Sequence, residues 1–176
     1  MKSAVLWAVA LVVASGFTAR AQAEVADGKF KNAQGKEVGT VHIEHMPSAT
    51  LLLIKLHDMP PGVHGIHIHS VGKCDPPSFD SAGPHYNPTK HEHGMKNPKG
   101  PHAGDLPNIT IPADGKFETQ IMIAGEQQWE GEGGILDGDS ASIVIHANPD
   151  DYMTDPAGNS GPRIACAPLD LPERNN

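Results

Sequence analysis

Val41-His42-Ile43-Glu44 and Leu52-Leu53-Ile54-Lys55-Leu56-His57 carry the pattern that decides the fold. Val41 and Ile43 alternate with His42 and Glu44. Leu52, Ile54 and Leu56 alternate with Lys55 and His57. A period of two is what a strand shows when one face is buried and the other is wet. The same period returns later, where Phe117, Ile121 and Ile123 share one parity and Glu118 and Gln120 the other. Asp114-Gly115 predicts a hairpin turn between the strand of Ile109 and Ile111 and the strand of Phe117. Asn32 to Gly35 predicts a first hairpin after Phe30. The 19 Gly and 16 Pro break every long helical pattern. Short strands at this spacing predict an all-β domain, an antiparallel sandwich or barrel.

Two stretches follow neither period. One runs from Gly72 to Pro107 and is dense in Pro, Gly, His and Lys; the other runs from Ala147 to Pro162. Loops this long in a compact domain are functional or disordered, and the histidines suggest what orders them. Seven of the 11 histidines fall between His64 and His102. Imidazole is the ligand of choice for copper and zinc. In Gly65-Ile66-His67-Ile68-His69 the two rings lie two residues apart on a strand, so both point to one face and can reach one ion. His146 ends another apolar run, Ile143-Val144-Ile145-His146. His85, His93 and His102, with Asp105 three residues further on, have the donors for a closed, structural zinc site.

The N-terminus reads separately. Lys2 precedes an unbroken apolar run from Ala4 to Ala14, and Ala21-Gln22-Ala23 has the small-x-small form of a cleavage site. That is the layout of a secretory signal peptide over residues 1–23, ahead of a domain over residues 24–176. The run is too short for a membrane span of ~20 residues, and no other segment is long enough. Loss of Lys2 and Arg20 takes the formal charge from −8 to −10, which argues against binding nucleic acid or an anionic membrane. In an oxidising compartment Cys74 and Cys166 pair; otherwise they are free thiols or metal ligands. Asn108-Ile109-Thr110 is a glycosylation sequon, of consequence only in a eukaryotic secretory pathway.

Four segments resemble those of the copper–zinc superoxide dismutases. Gly65-Ile66-His67-Ile68-His69 through Cys74 is similar to the first copper-binding segment. Ala82-Gly83-Pro84-His85-Tyr86-Asn87-Pro88 resembles the bridging-histidine segment. His93-Gly94 and His102-Ala103-Gly104-Asp105-Leu106 resemble the zinc segment, and Gly158-Asn159-Ser160-Gly161-Pro162-Arg163-Ile164-Ala165-Cys166 the C-terminal signature. They stand in family order across roughly residues 40–168. The signal peptide and the long loop after Cys74 resemble the bacterial periplasmic branch.

The resemblance implies a Greek-key antiparallel β-barrel, flattened like a sandwich, with two long functional loops. It implies conversion of two superoxide anions to oxygen and hydrogen peroxide as copper cycles between Cu(II) and Cu(I). One copper and one zinc per chain follow from it. Copper then falls to His67, His69, His85 and His146, and zinc to His85, His93, His102 and Asp105, with His85 bridging both and active in catalysis. Asp150 matches an outer carboxylate that links a copper-side and a zinc-side histidine. Arg163 matches the cation beside copper, and Cys74–Cys166 the family disulfide. A homodimer is compatible with the resemblance.

Four features depart from the family pattern or lie outside it. His91 competes with His93, which stands at the matching distance from Asn87-Pro88. Ala157 stands where many eukaryotic members of the family it resembles have Thr. No Lys occurs between Ala147 and Pro162, which leaves Lys90, Lys96 and Lys99 as candidate steering cations. His57 and His64 receive no role. A periplasmic copper or zinc carrier on the same fold is the competing reading, and it would need neither the bridge nor Arg163.

Overall fold

The structure, a computed structural model, describes residues 25–46, 48–124 and 134–170. The signal-peptide reading of residues 1–23 lies outside them. Among the described residues there are nine strands: β1 (Val25–Asn32), β2 (Glu37–Met46), β3 (Ala49–Leu56), β4 (Gly62–His64), β5 (Ile66–His69), β6 (Ile109–Ile111), β7 (Phe117–Ala124), β8 (Ser142–His146) and β9 (Arg163–Pro168). Seven form one curled antiparallel sheet in the order β5-β8-β9-β1-β2-β3-β7, and β4 pairs with β6 in a small second sheet. Strands distant in sequence lie side by side, as in the expected Greek-key barrel. Among the described residues no helix is long and apolar enough to cross a membrane.

The alternation does what the period of two requires. Val41, Ile43, Leu52 and Ile54 are fully buried in the core with Phe30. Their neighbours Thr40, Lys55, Glu118 and Met122 face water. The first hairpin forms as predicted, with the Gly35 N–H donating to the Asn32 carbonyl (2.8 Å). The second does not. A turn stands at Asp114-Gly115, with Gly115 N–H donating to Pro112 O at 3.0 Å, but β6 pairs with β4 and β7 with β3. The chain changes sheets at this turn, as happens at the corners of packed sheets. The Met59 N–H donates to Gly115 O (3.3 Å) and holds the corner.

β5 and β8 are buried on both faces. Ile66, Ile68, Ile143 and Ile145 point into the main core, whereas Val144 packs with Phe79, Ala82 and Cys166 under the first long loop. That loop, residues 70–108, contains one short 3₁₀ turn, Asp80–Ala82. The second, residues 147–162, has no regular element. Both lie over β5, β8 and β9 and supply the wall of the site.

Candidate metal centre

β5 places His67 and His69 on its outer face, and β8 brings His146 beside them. The first loop is laid along β5 by backbone bonds: Ile68 N–H to Gly104 O (2.9 Å), Tyr86 N–H to Ile68 O (2.8 Å) and Gly104 N–H to Tyr86 O (2.8 Å). Gly104 is required there, because a Cβ would collide with the Ile68 carbonyl. Isolated bridges pair His69 with His85 and His67 with Asp105, so the loop arrives in register with the strand.

Among the described residues of this site, four buried ring nitrogens have no hydrogen-bond partner: Nδ1 of His67 and Nε2 of His69, His85 and His146. The ligand atoms of these residues lie within 4.8 Å of one another. Leaving a buried polar atom unpaired costs about 1–3 kcal/mol, so four converging ones mark a site completed by an ion. Four neutral imidazoles are a donor set suited to copper. The other nitrogens of three of these rings are fixed: His69 Nδ1 lies 2.9 Å from Gly83 O, His146 Nδ1 3.1 Å from Gly161 O, and His67 Nε2 2.9 Å from Asp150 Oδ2. Such contacts set the tautomer that leaves the lone pair facing the ion.

The fourth ring, His85, turns its Nδ1 to a second cluster. Asp105 Oδ1 lies 3.0 Å from His85 Nδ1, 2.9 Å from His93 Nδ1 and 3.4 Å from His102 Nδ1; His85 and His102 Nδ1 are 3.4 Å apart. A tetrahedral zinc with bonds of about 2.0–2.1 Å separates its ligand atoms by roughly 3.3 Å. The cluster therefore has the dimensions of a zinc cage. By distance alone His67 also groups with His85, His93 and Asp105. Its Nε2 is held by Asp150 and its Nδ1 belongs to the other set, so His102 is the better fourth donor. Asp105 Oδ2 accepts from the N–H groups of Gly94 (2.9 Å) and His102 (3.0 Å), fixing the carboxylate.

Asp150 joins the two clusters. Its Oδ2 meets His67 and its Oδ1 lies 3.0 Å from His93 Nε2. Titration follows from these surroundings. Burial pushes His69 well below its ordinary value, His85 to about 4 despite Asp105, and His146 to about 3 with help from His67. All three are neutral at pH 7, as ligands must be. Burial would also lower His93, but its bonds to Asp105 and Asp150 hold it at about 9. Burial would raise Asp105 and Asp150, but bonds from His85 and His93 to the first, and from His67 and His93 to the second, hold both below the usual carboxylate range.

Three of these four histidines, His69, His85 and His146, line a cavity of about 770 Å³ together with Arg163, while His67 is buried behind them. Arg163 Nη1 donates to Phe79 O (2.6 Å) and Nη2 to Gly83 O (2.8 Å). Gly83 O is also the acceptor that orients His69. Arg163 thus braces the loop and faces the cavity. Cys74 and Cys166 are joined, with a Cα–Cα distance of 5.7 Å, and tie the same loop to β9.

Other expectations sort by position. His91 lines the cavity, its Nδ1 3.1 Å from Pro101 O, but is not in the cluster; His93 is. Lys90, Lys96 and Lys99 do not line the cavity. Lys99 pairs with Glu92 (2.8 Å) and Lys96 lies 5.2 Å from the centre of the Tyr152 ring. Exposed His57 lies 3.3 Å from Asp58. His64, which carries no role in the family resemblance, is buried with ring nitrogens 2.8 and 3.0 Å from the carbonyls of His146 and Pro60. It braces the end of β8, a contact across 82 residues that no local pattern announces.

Two adjoining clusters of possible metal ligands that meet at His85, on the wall of an all-β domain, define a candidate two-metal centre. Residues 37–169 match the family model described as copper/zinc superoxide dismutase. The chain is 43% identical over 138 residues to "Superoxide dismutase [Cu-Zn] 1" of Aquifex aeolicus, covering 77% of this chain and 81% of the relative. A crystal structure of a SOD-like protein from Bacillus subtilis superposes with a TM-score of 0.75 at 39% identity, over 80% of this chain and 95% of that one. The Cu/Zn superoxide dismutase from Brucella abortus gives 0.66 at 28% identity, over 84% and 100%. The chain belongs to the copper/zinc superoxide dismutase family. It is an oxidoreductase that consumes superoxide with one copper and one zinc per chain.

Proposed function

We propose that His67 Nδ1 and the Nε2 atoms of His69, His85 and His146 hold the copper, and that His85, His93, His102 and Asp105 hold the zinc. The observation that carries this is the set of four partnerless buried nitrogens next to a cage of zinc dimensions, with His85 in both. When bound, copper supplies a reversible one-electron step between Cu(II) and Cu(I), and zinc is redox-silent.

The protein supplies the rest. Nδ1 of His85 stays with the zinc cluster while Nε2 faces the cavity, so Nε2 is the atom placed to take up and return a proton. Rigid strands hold His67, His69 and His146, and the loops exclude bulk water from all but one side. Superoxide is an anion and the whole chain has a formal charge of −8. Arg163 is the one Lys or Arg on the cavity wall among the described residues, and its guanidinium draws the substrate inward. The joined Cys74 and Cys166 and the apolar run Ala4–Ala14 support export to the periplasm, with cleavage after Ala23.

The test is metal content and superoxide consumption measured on one sample of unreconstituted protein. His85→Ala should lose both metals and the activity. His91→Ala should keep all three. Zinc lost from His91→Ala but retained by His93→Ala would refute the assignment.

A further inference from the structure

Asn108 stands out because its sequon has no part in the function and yet its side chain is fully engaged. Its Nδ2 donates to Asp150 O (2.8 Å), and its Oδ1 accepts from Asp150 N–H (2.8 Å). One side chain therefore closes both backbone groups of Asp150, as a neighbouring strand would. The Asn108 N–H donates to Tyr152 Oη (2.6 Å), and the Tyr152 N–H donates to Asp150 Oδ1 (2.7 Å). Asn108 directly precedes β6, whose Ile109 pairs with His64 of β4. The clamp is thus mounted on a sheet, while Asp150 sits in a loop 42 residues away. On the other side of Asp150, Gly158 (φ +60) leaves the space the carboxylate occupies. A Cβ there would overlap Asp150 and reach within 2.8 Å of His93 Nε2.

We infer that Asn108 is a positioning residue of the metal centre, acting through Asp150 on His67 and His93 at once; this rests on the ligand assignment proposed above. Only an amide of this length offers a donor and an acceptor to the same backbone unit. Asp lacks the donor, and Gln would overshoot. With the clamp gone, the Asp150 backbone can rotate and its two oxygens need not meet both rings together. Outer partners of metal ligands are typically worth 10–100-fold in affinity, and Asn108 acts one step further out.

The experiment measures zinc affinity by competition with a chromophoric chelator, and amide exchange at Asp150 and Tyr152, in the full protein. Asn108→Ala should weaken zinc binding about tenfold and speed both amides, whereas Thr110→Ala, which also removes the sequon, should change neither. In an Asp150→Ala background, Asn108→Ala should add no further loss, since the clamp then has nothing to aim. If Asn108→Ala does not fold, Asn108→Asp carries the same comparison. A lowered melting temperature with zinc affinity within twofold of wild type overturns the inference, as do losses that multiply in the double variant. His93→Ala run in parallel separates the two ideas. Zinc retained there overturns the ligand assignment and this inference with it; zinc lost there but kept in Asn108→Ala overturns the inference alone.

Discussion

The sheet half formed by β1, β2, β3 and β7 and the wall formed by the two long loops over β5 and β8 are held together by different means. In the first, backbone ladders run unbroken for up to eight paired residues, and one face packs on Phe30, Ile43, Leu52 and Ile54. In the second, few backbone ladders exist, and order comes from side chains that reach across tens of residues: Asp105, Asp150, Arg163, Asn108 and the disulfide. The first half is stabilised by burying apolar area and would keep its shape without any ion. The second leaves converging nitrogens without partners and should therefore depend on bound ions for order. The main apolar core and the candidate metal ligands thus occupy separate parts of one domain.

Stripping the metals should break the comparison open most widely. Amides of residues 85–105 and 150–160 should exchange faster by orders of magnitude, while those of β2 and β3 keep their protection. Equal acceleration in both halves, followed by mass spectrometry, would mean that the ions support the whole fold. Replacing Cys74 and Cys166 with Ser should come next in size. The bond closes a separation of 92 residues, worth at most about 4–5 kcal/mol in the chain-entropy model. Denaturant melts should show that loss together with a loosened Arg163 region.

Ile54→Ala sharpens the comparison from the other side. It should cost about 2–5 kcal/mol and leave copper and zinc at one per chain. Metal loss in proportion to that destabilisation would show the halves to be coupled. The smallest effect belongs to Asp151, which accepts from Thr154 Oγ1 (2.7 Å), the N–H groups of Thr154 and Met153, and Asn159 Nδ2. Those bonds, led by the Thr154 hydroxyl, lower its pKa from 3.8 to about 2. Its contribution is therefore full above pH 3.8 and is lost as pH falls through about 2. Exchange in residues 151–159 should rise over that window in the wild type, and Asp151→Asn should abolish the step.

The same division explains what the sequence revealed. β2, β3 and β7 were legible because one face is wet, and so the chain alternates. β5 and β8 are buried on both faces, so hydrophobicity alone says little; the spacing of His67 and His69 gave their outer face away. β6 was legible through Ile109 and Ile111, but β4 is three residues long and carries no period, and without it as the partner of β6 the turn at Asp114-Gly115 reads as an ordinary hairpin. The metal cluster was legible through its residue types, and His93 was separated from His91 by its distance from Asn87-Pro88. Asn108 and His64 were not, since their partners lie 42 and 82 residues away and an amide or a lone imidazole looks the same in any loop.

The Asn108 clamp has a consequence for production of the protein in a foreign host. Nδ2 of Asn108 is the atom to which an oligosaccharide would be joined, and in the folded chain that atom is spent on Asp150. Sugar transfer and completion of the fold therefore compete for one nitrogen. In a yeast or animal secretory pathway the outcome is a race during synthesis, and it should yield two species: a bare one with an intact centre, and a heavier one whose Asp150 has lost its hold. A bacterial host runs no such race, and every molecule it makes keeps the nitrogen free for its structural task.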